Sequence, residues 1–152
     1  MHPLAHTLTG ALVGQAASSP ALALIGGVAS HVILDRIPHA EGETFTGKRT
    51  SAFGVDLIEA AAELVVGLAA MWWVADTCSS ARITSLALGV LGGLLPDLVD
   101  LPLNALAGVI VLHRRSWHRT VPREQAAVGI LTQVATVIIA GIGLWFLAGC
   151  GR

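Results

Sequence analysis

The stretch EQAAVGILTQVATVIIAGIGLWFLA, residues 124–148, decides the fold class. Its 25 residues carry no charge after Glu124. At about 1.5 Å per residue such a helix exceeds the roughly 30 Å hydrocarbon core of a bilayer. The rest of the chain has the same character. Hydrophobic residues make up 54% and charged residues 12%, against about 25% charged in soluble domains. Mean hydropathy is +0.73. There are 17 glycines and no tyrosine. These features predict an all-α integral membrane bundle of about five helices rich in small residues. The 152 residues suffice for one domain, residues 1–152. A net charge of -1 and the lack of a large basic patch exclude nucleic acid as a partner. Membrane lipids are the expected surroundings.

Working outward, helices are expected at about residues 4–17, 21–37, 53–75 and 82–95. Ser18-Ser19-Pro20 is a turn with proline at a helix start. The first two helices are short for a bilayer and form an N-terminal helical hairpin. Pro96 and Pro102 bracket an acidic elbow, so a broken helix is expected around them, followed by a short apolar helix at 103–112. No Lys or Arg precedes the first apolar run, so residues 1–17 read as retained structure rather than a signal peptide.

Lys and Arg cluster in two places. Arg36, Lys48 and Arg49 flank one loop, and Arg114, Arg115, Arg119 and Arg123 fill another. The positive-inside rule puts both in the cytoplasm, in a protein that crosses its membrane several times. Trp72, Trp73 and Trp145 then mark the opposite interface. With this topology all six histidines fall on the cytoplasmic half, as do nine of the ten acidic residues, Asp76 being the exception.

The densest ligand-type stretch is Ser30-His31-Val32-Ile33-Leu34-Asp35-Arg36-Ile37-Pro38-His39. On a helix His31 and Asp35 stand one above the other. An imidazole and a carboxylate so placed can grip one cation together. The bland alternative is a solvated helix end, with Asp35 paired to Arg36 or Lys48. Pro38 is expected to stop this helix. Repeats of four link such residues to small ones: His2, His6, Gly10, Gly14; Gly27, His31, Asp35, His39; Gly89, Gly93, Asp97. Glycines at this spacing let helices approach closely and bring their polar ends together, although packing alone explains the glycines.

Two further groups stand out. Asp56, Glu59 and Glu63 share a face of the third helix, where ionisable groups are costly and face a polar interior. They are the path of the rival reading, a small transporter or metal-handling protein. His113-Arg114-Arg115-Ser116-Trp117-His118 offers two imidazoles and guanidinium groups. It reads either as a lipid-phosphate contact or as an anchor for a substrate anion through Arg114 or Arg115.

These segments together resemble the bacterial LexA-regulated membrane-bound metal-dependent hydrolases, a family distantly similar to zinc-dependent phospholipase C. Gly92-Gly93-Leu94-Leu95-Pro96-Asp97 matches the family's Gly-Gly-x-Leu-Pro-Asp element, and Ser30-His31-Val32-Ile33-Leu34-Asp35 its Ser-His-x-x-Leu-Asp element. His113-Arg114 with His118 matches its His-Arg element more loosely, and His6 stands for an early histidine. Two departures mark a divergent branch: the second acid is Asp100, one residue late, and the Ser-His element precedes the Leu-Pro-Asp element. The resemblance rests on about 20 residues and implies hydrolysis of phosphoester or lipid-like substrates with a divalent metal, zinc foremost.

The expected metal ligands are His6, His31, Asp35, Asp97, His113 and His118. Asp100 is the candidate general base or further ligand, and Arg114 the candidate substrate anchor. Cys78 and Cys150 are too few for a disulfide scaffold or a cysteine zinc site. Both are placed at the outer face, where free thiols are expected and a bridge is the alternative.

Overall fold

A computed structural model of the chain describes residues 2–40, 44–45, 53–107 and 119–150; at 53–60 and 100–107 the backbone alone is described. Among the described residues five helices of 14 residues or more form the fold: α1 (Pro3–Ala16), α2 (Pro20–Leu34), α3 (Phe53–Thr77), α4 (Ile83–Ala107) and α5 (Ala126–Leu147). A 3-10 turn, Arg123–Gln125, leads into α5. No β-strand occurs among the described residues, only an isolated bridge between His39 and Thr120.

Proline sits at the start of both α1 and α2, where its missing N–H costs nothing. The Ser19 hydroxyl accepts the Leu22 N–H and caps α2. Together α1 and α2 make the short hairpin expected from the sequence. The expectation that Pro38 ends α2 is corrected. The helix ends at Leu34, with Asp35 as its C-cap, still in right-handed helical conformation. Arg36 and Ile37 then donate their N–H groups to Ile33 and Leu34, the tighter pattern common in a last turn. Because Asp35 keeps helical geometry, it remains one turn above His31.

The core is a three-helix contact of α1, α2 and α4, with α3 and α5 added against α1. Glycines make it. A Cβ on Gly89 would overlap the Gly10 carbonyl, and one on Gly27 would overlap the Gly89 carbonyl. Gly92 and Gly93 meet α2 and α1 in the same way, against Leu24 and His6. The backbones therefore touch, as the small-residue stripes predict.

The broken helix expected around Pro96 and Pro102 is also corrected. α4 runs without interruption from Ile83 to Ala107. Each proline removes one bond to the carbonyl four residues back, a cost of about 3 kcal/mol in a helix interior. The rest of the ladder continues the helix through both, and its glycine face packs on α1 and α2 ahead of Pro96. Residues 103–107 thus continue α4, and 108–112 lie outside the described residues.

At the end of the bundle away from Asp35, Cys78 and Cys150 form a disulfide with Cα atoms 4.3 Å apart, not the free thiols expected. The reason lies in Gln15. Its amide donates to Ser80 O and Leu147 O, and its oxygen accepts the Arg82 N–H. The end of α1 thereby draws the α3–α4 turn to the end of α5, and Ser80 N–H reaches Ala148 O at 3.0 Å.

One described helix, Arg123–Leu147, is long and apolar enough to cross a membrane, with mean hydropathy 2.1. Only 11% of that window is buried, which sets it apart from the core helix of a soluble protein. Its outer face exposes Leu131, Ile139, Ile142 and Phe146.

Candidate metal centre

The same four-residue stripes that bring glycines together at mid-bundle carry His6 on α1 and His31 on α2 into the interior. Both are fully buried, as is Asp35. Their rings stack with centroids 4.0 Å apart and planes inclined by 20°. His6 Nε2 lies 3.2 Å from one Asp35 carboxylate oxygen, and His31 Nε2 lies 3.1 Å from the other. The three side chains form a buried group that can hold a metal ion, with one ligand atom from each and all three within 4.8 Å of one another.

The proton positions sharpen this. His31 Nδ1 lies 2.7 Å from the Gly93 carbonyl oxygen. A carbonyl only accepts, so Nδ1 carries the proton and donates. In the neutral ring Nε2 is then a bare lone pair directed at carboxylate oxygens. Two acceptors in contact repel; a cation or an added proton between them removes the conflict. Ligating histidines typically donate their second nitrogen to a backbone carbonyl in this way. His6 lacks such a support: its Nδ1, the nitrogen away from Asp35, is buried with no hydrogen-bond partner among the described residues. Ligands bound at about 2.0–2.1 Å in a tetrahedron stand roughly 3.3 Å apart, close to the two His–Asp separations. The residues present therefore fit a metal.

Asp97 on α4 stands at the rim. Its carboxylate is 3.7 Å from His31 Nε2, and its side chain is 41% exposed. His6, His31 and Asp35 are thus buried, and Asp97 is a partly exposed acid beside them. The structure brings together four of the six expected ligands: His6, His31 and Asp35 closely, Asp97 as an outer neighbour. His113, His118 and Arg114 lie outside the described residues, as does the side chain of Asp100.

Backbone pairing joins the loops at this end. Arg119 N–H donates to Asp35 O at 2.9 Å, His39 N–H to Arg119 O, and Val121 N–H to His39 O. Buried His39 donates its own Nδ1–H to Ile37 O. Gln133 and Thr132 of α5 fasten the same loop through Ala40 O and Pro38 O. The two basic loops read from the sequence thus share one end of the bundle through Arg36 and Arg119.

Glu63, the deepest acid of the rival path, is engaged otherwise. One oxygen pairs with His2 Nδ1 at 2.8 Å and the other accepts the Leu4 N–H at the start of α1. A carboxylate there satisfies an open donor and the helix dipole. The side chains of Asp56 and Glu59 lie outside the described residues. The Gly93 carbonyl was not legible as a site group: the residue reads as packing, and a main-chain acceptor leaves no side-chain signal.

Comparison with protein-family models, curated proteins and solved structures gives no match to this chain.

Proposed function

We propose that the chain is a membrane-bound metal-dependent hydrolase acting on phosphoester or lipid-like substrates, akin to the LexA-regulated family it resembles. The observation that carries the reading is the His31 ring, fixed by Gly93 on one side and aimed at Asp35 on the other. His6, His31 and Asp35 would hold the ion, zinc by its liking for imidazole and carboxylate in a tetrahedral set. A divalent ion there lowers the pKa of water and polarises a substrate oxygen. Half-exposed Asp97 beside His31 would be the side from which water and substrate approach, as a catalytic rather than a structural site requires. Arg119 N–H on Asp35 O brings the chain just after His118 beside Asp35, which supports keeping His118 in the set; His113 and Arg114 stay in it on the resemblance alone.

The placement proposed is a multi-pass bacterial inner-membrane protein. Its metal end faces the cytoplasm and its Cys78–Cys150 end faces the oxidising side. The apolar outer face of α5 supports the bilayer. The test is metal analysis of protein purified in detergent without chelators, beside hydrolysis of bis(p-nitrophenyl) phosphate. Near-stoichiometric zinc, lost in Asp35→Ala, and hydrolysis lost in folded Asp97→Asn are expected. Metal-free protein that takes up no ion on titration overturns the site. Full activity in Asp97→Asn removes Asp97 from the chemistry.

A further inference from the structure

α3 and α5 are joined at one end and apart at the other. Near their C-termini the Cys78–Cys150 disulfide and the stacked Trp73 and Trp145 rings, centroids 5.3 Å apart, hold them together. Both pack on α1, and beyond these links they hardly touch each other. An open groove of about 420 Å³ lies beside α1, bordered by α5, by Glu63 of α3 and by Ala40 and Phe45. Ala5 of α1 lies at it, and Val134, Val137 and Ile138 of α5 form an apolar wall. The His2–Glu63 pair and the Gln133 amide add polar groups. Val134 and Ile138 are half exposed, so the groove is continuous with the apolar outer face of α5.

We propose that this cleft seats one acyl chain of a bilayer phospholipid. The wall matches a hydrocarbon chain, and the polar groups match the ester region of the same molecule. An opening along the most apolar helix admits a ligand from the bilayer rather than from water. α1 separates the cleft from the metal centre: Ala5 borders the cleft, while the next residue, His6, meets Asp35 on the α2 side. The proposal rests on the membrane placement above, not on the metal.

The test uses full-length protein in phospholipid nanodiscs containing phosphatidylethanolamine with a mid-chain diazirine. Photolysis should put adducts mainly on peptides with Ala5 and residues 134–138. Val134→Trp or Ile138→Trp should cut this labelling about tenfold, the change given by about 1.4 kcal/mol of affinity. Ile139→Trp, on the outer face, should leave it unchanged. An intact disulfide on non-reducing mass analysis certifies each variant as folded. His6→Ala should label as the parent does, which separates this site from the metal reading. Uniform adducts along all exposed faces of α5, or labelling by diazirine palmitate but not by the phospholipid, overturn the proposal. Protein released from membranes by alkaline carbonate would instead overturn the membrane placement.

Discussion

His31 donates its Nδ1–H to the Gly93 carbonyl, 2.7 Å away, and by doing so turns Nε2 towards Asp35. The contact ties α2 to α4 and sets the tautomer of a buried ring. The glycine supplies the oxygen and, lacking a Cβ, lets α1 lie close: a Cβ on Gly93 would stand 2.7 Å from the His6 carbonyl. One residue thus positions both histidines of the centre.

Removing the charge at the centre should matter more than removing it at the rim. Asp35→Asn keeps the volume but loses the carboxylate that both Nε2 atoms face. Zinc affinity, read by competition with a chromophoric chelator, should fall more than the 10–100-fold typical of outer partners. Asp97→Asn should fall within that range, because Asp97 is more distant and half exposed. Equal losses would place both carboxylates in the same role.

The glycine contacts predict a sharp contrast in stability. Gly89→Ala puts a methyl group into the Gly10 carbonyl and the Gly14 backbone. Neither is a flexible side chain that could move aside. Overpacking of this kind costs about 1–3 kcal/mol. Gly141→Ala meets nothing within 4 Å and removes a helical glycine, a gain of up to about 1 kcal/mol. Thermal unfolding in detergent should therefore show a lowered midpoint for the first and an unchanged or raised one for the second.

Much of this was legible before any coordinates. The apolar runs gave α1, α2, α3 and α5 to within a few residues, because each is bounded by proline, serine or charge. The stripes ending at His6, His31 and Asp97 foretold which faces meet, because a four-residue repeat names one side of a helix. What failed was non-local. Pro96 and Pro102 read as breaks, since nothing local shows that the rest of the ladder continues through both. Cys78 and Cys150 meet where Gln15 ties the α3–α4 turn to the end of α5, and Gln15 lies more than 60 residues from the first and 130 from the second. The Gly93 carbonyl belongs to the backbone, which sequence patterns do not mark.

Topology gives a further outcome. The bridge between His39 and Thr120 puts Arg36 and Arg119 at one end, while Arg82 lies at the disulfide end beside Gln15. With the native cysteines bridged, a membrane-impermeant maleimide should label Arg82→Cys in intact spheroplasts. Arg36→Cys should label only after the membrane is opened. The reverse pattern would invert the orientation, and labelling of both from outside would remove the membrane crossing.

The disulfide closes a loop with a sequence separation of 72 residues. It joins the turn after α3 to the end of α5, a helix little of which is buried. Cross-linking a loop of that length removes entropy from the unfolded chain worth about 4 kcal/mol in the chain-entropy estimate. Cys78→Ser and reduced wild-type protein should therefore unfold at similar, lowered temperatures. The loss should be felt first where α3 and α5 meet, because Gln15 still holds Ser80 and Leu147 to α1 by hydrogen bonds alone. Alkylation checks the premise directly. Denatured, unreduced protein should take up no maleimide at either cysteine, and reduced protein should take up two. Full labelling without reduction would mean that the bridge does not form, and that Gln15 and the Trp73–Trp145 stack hold the two helices unaided.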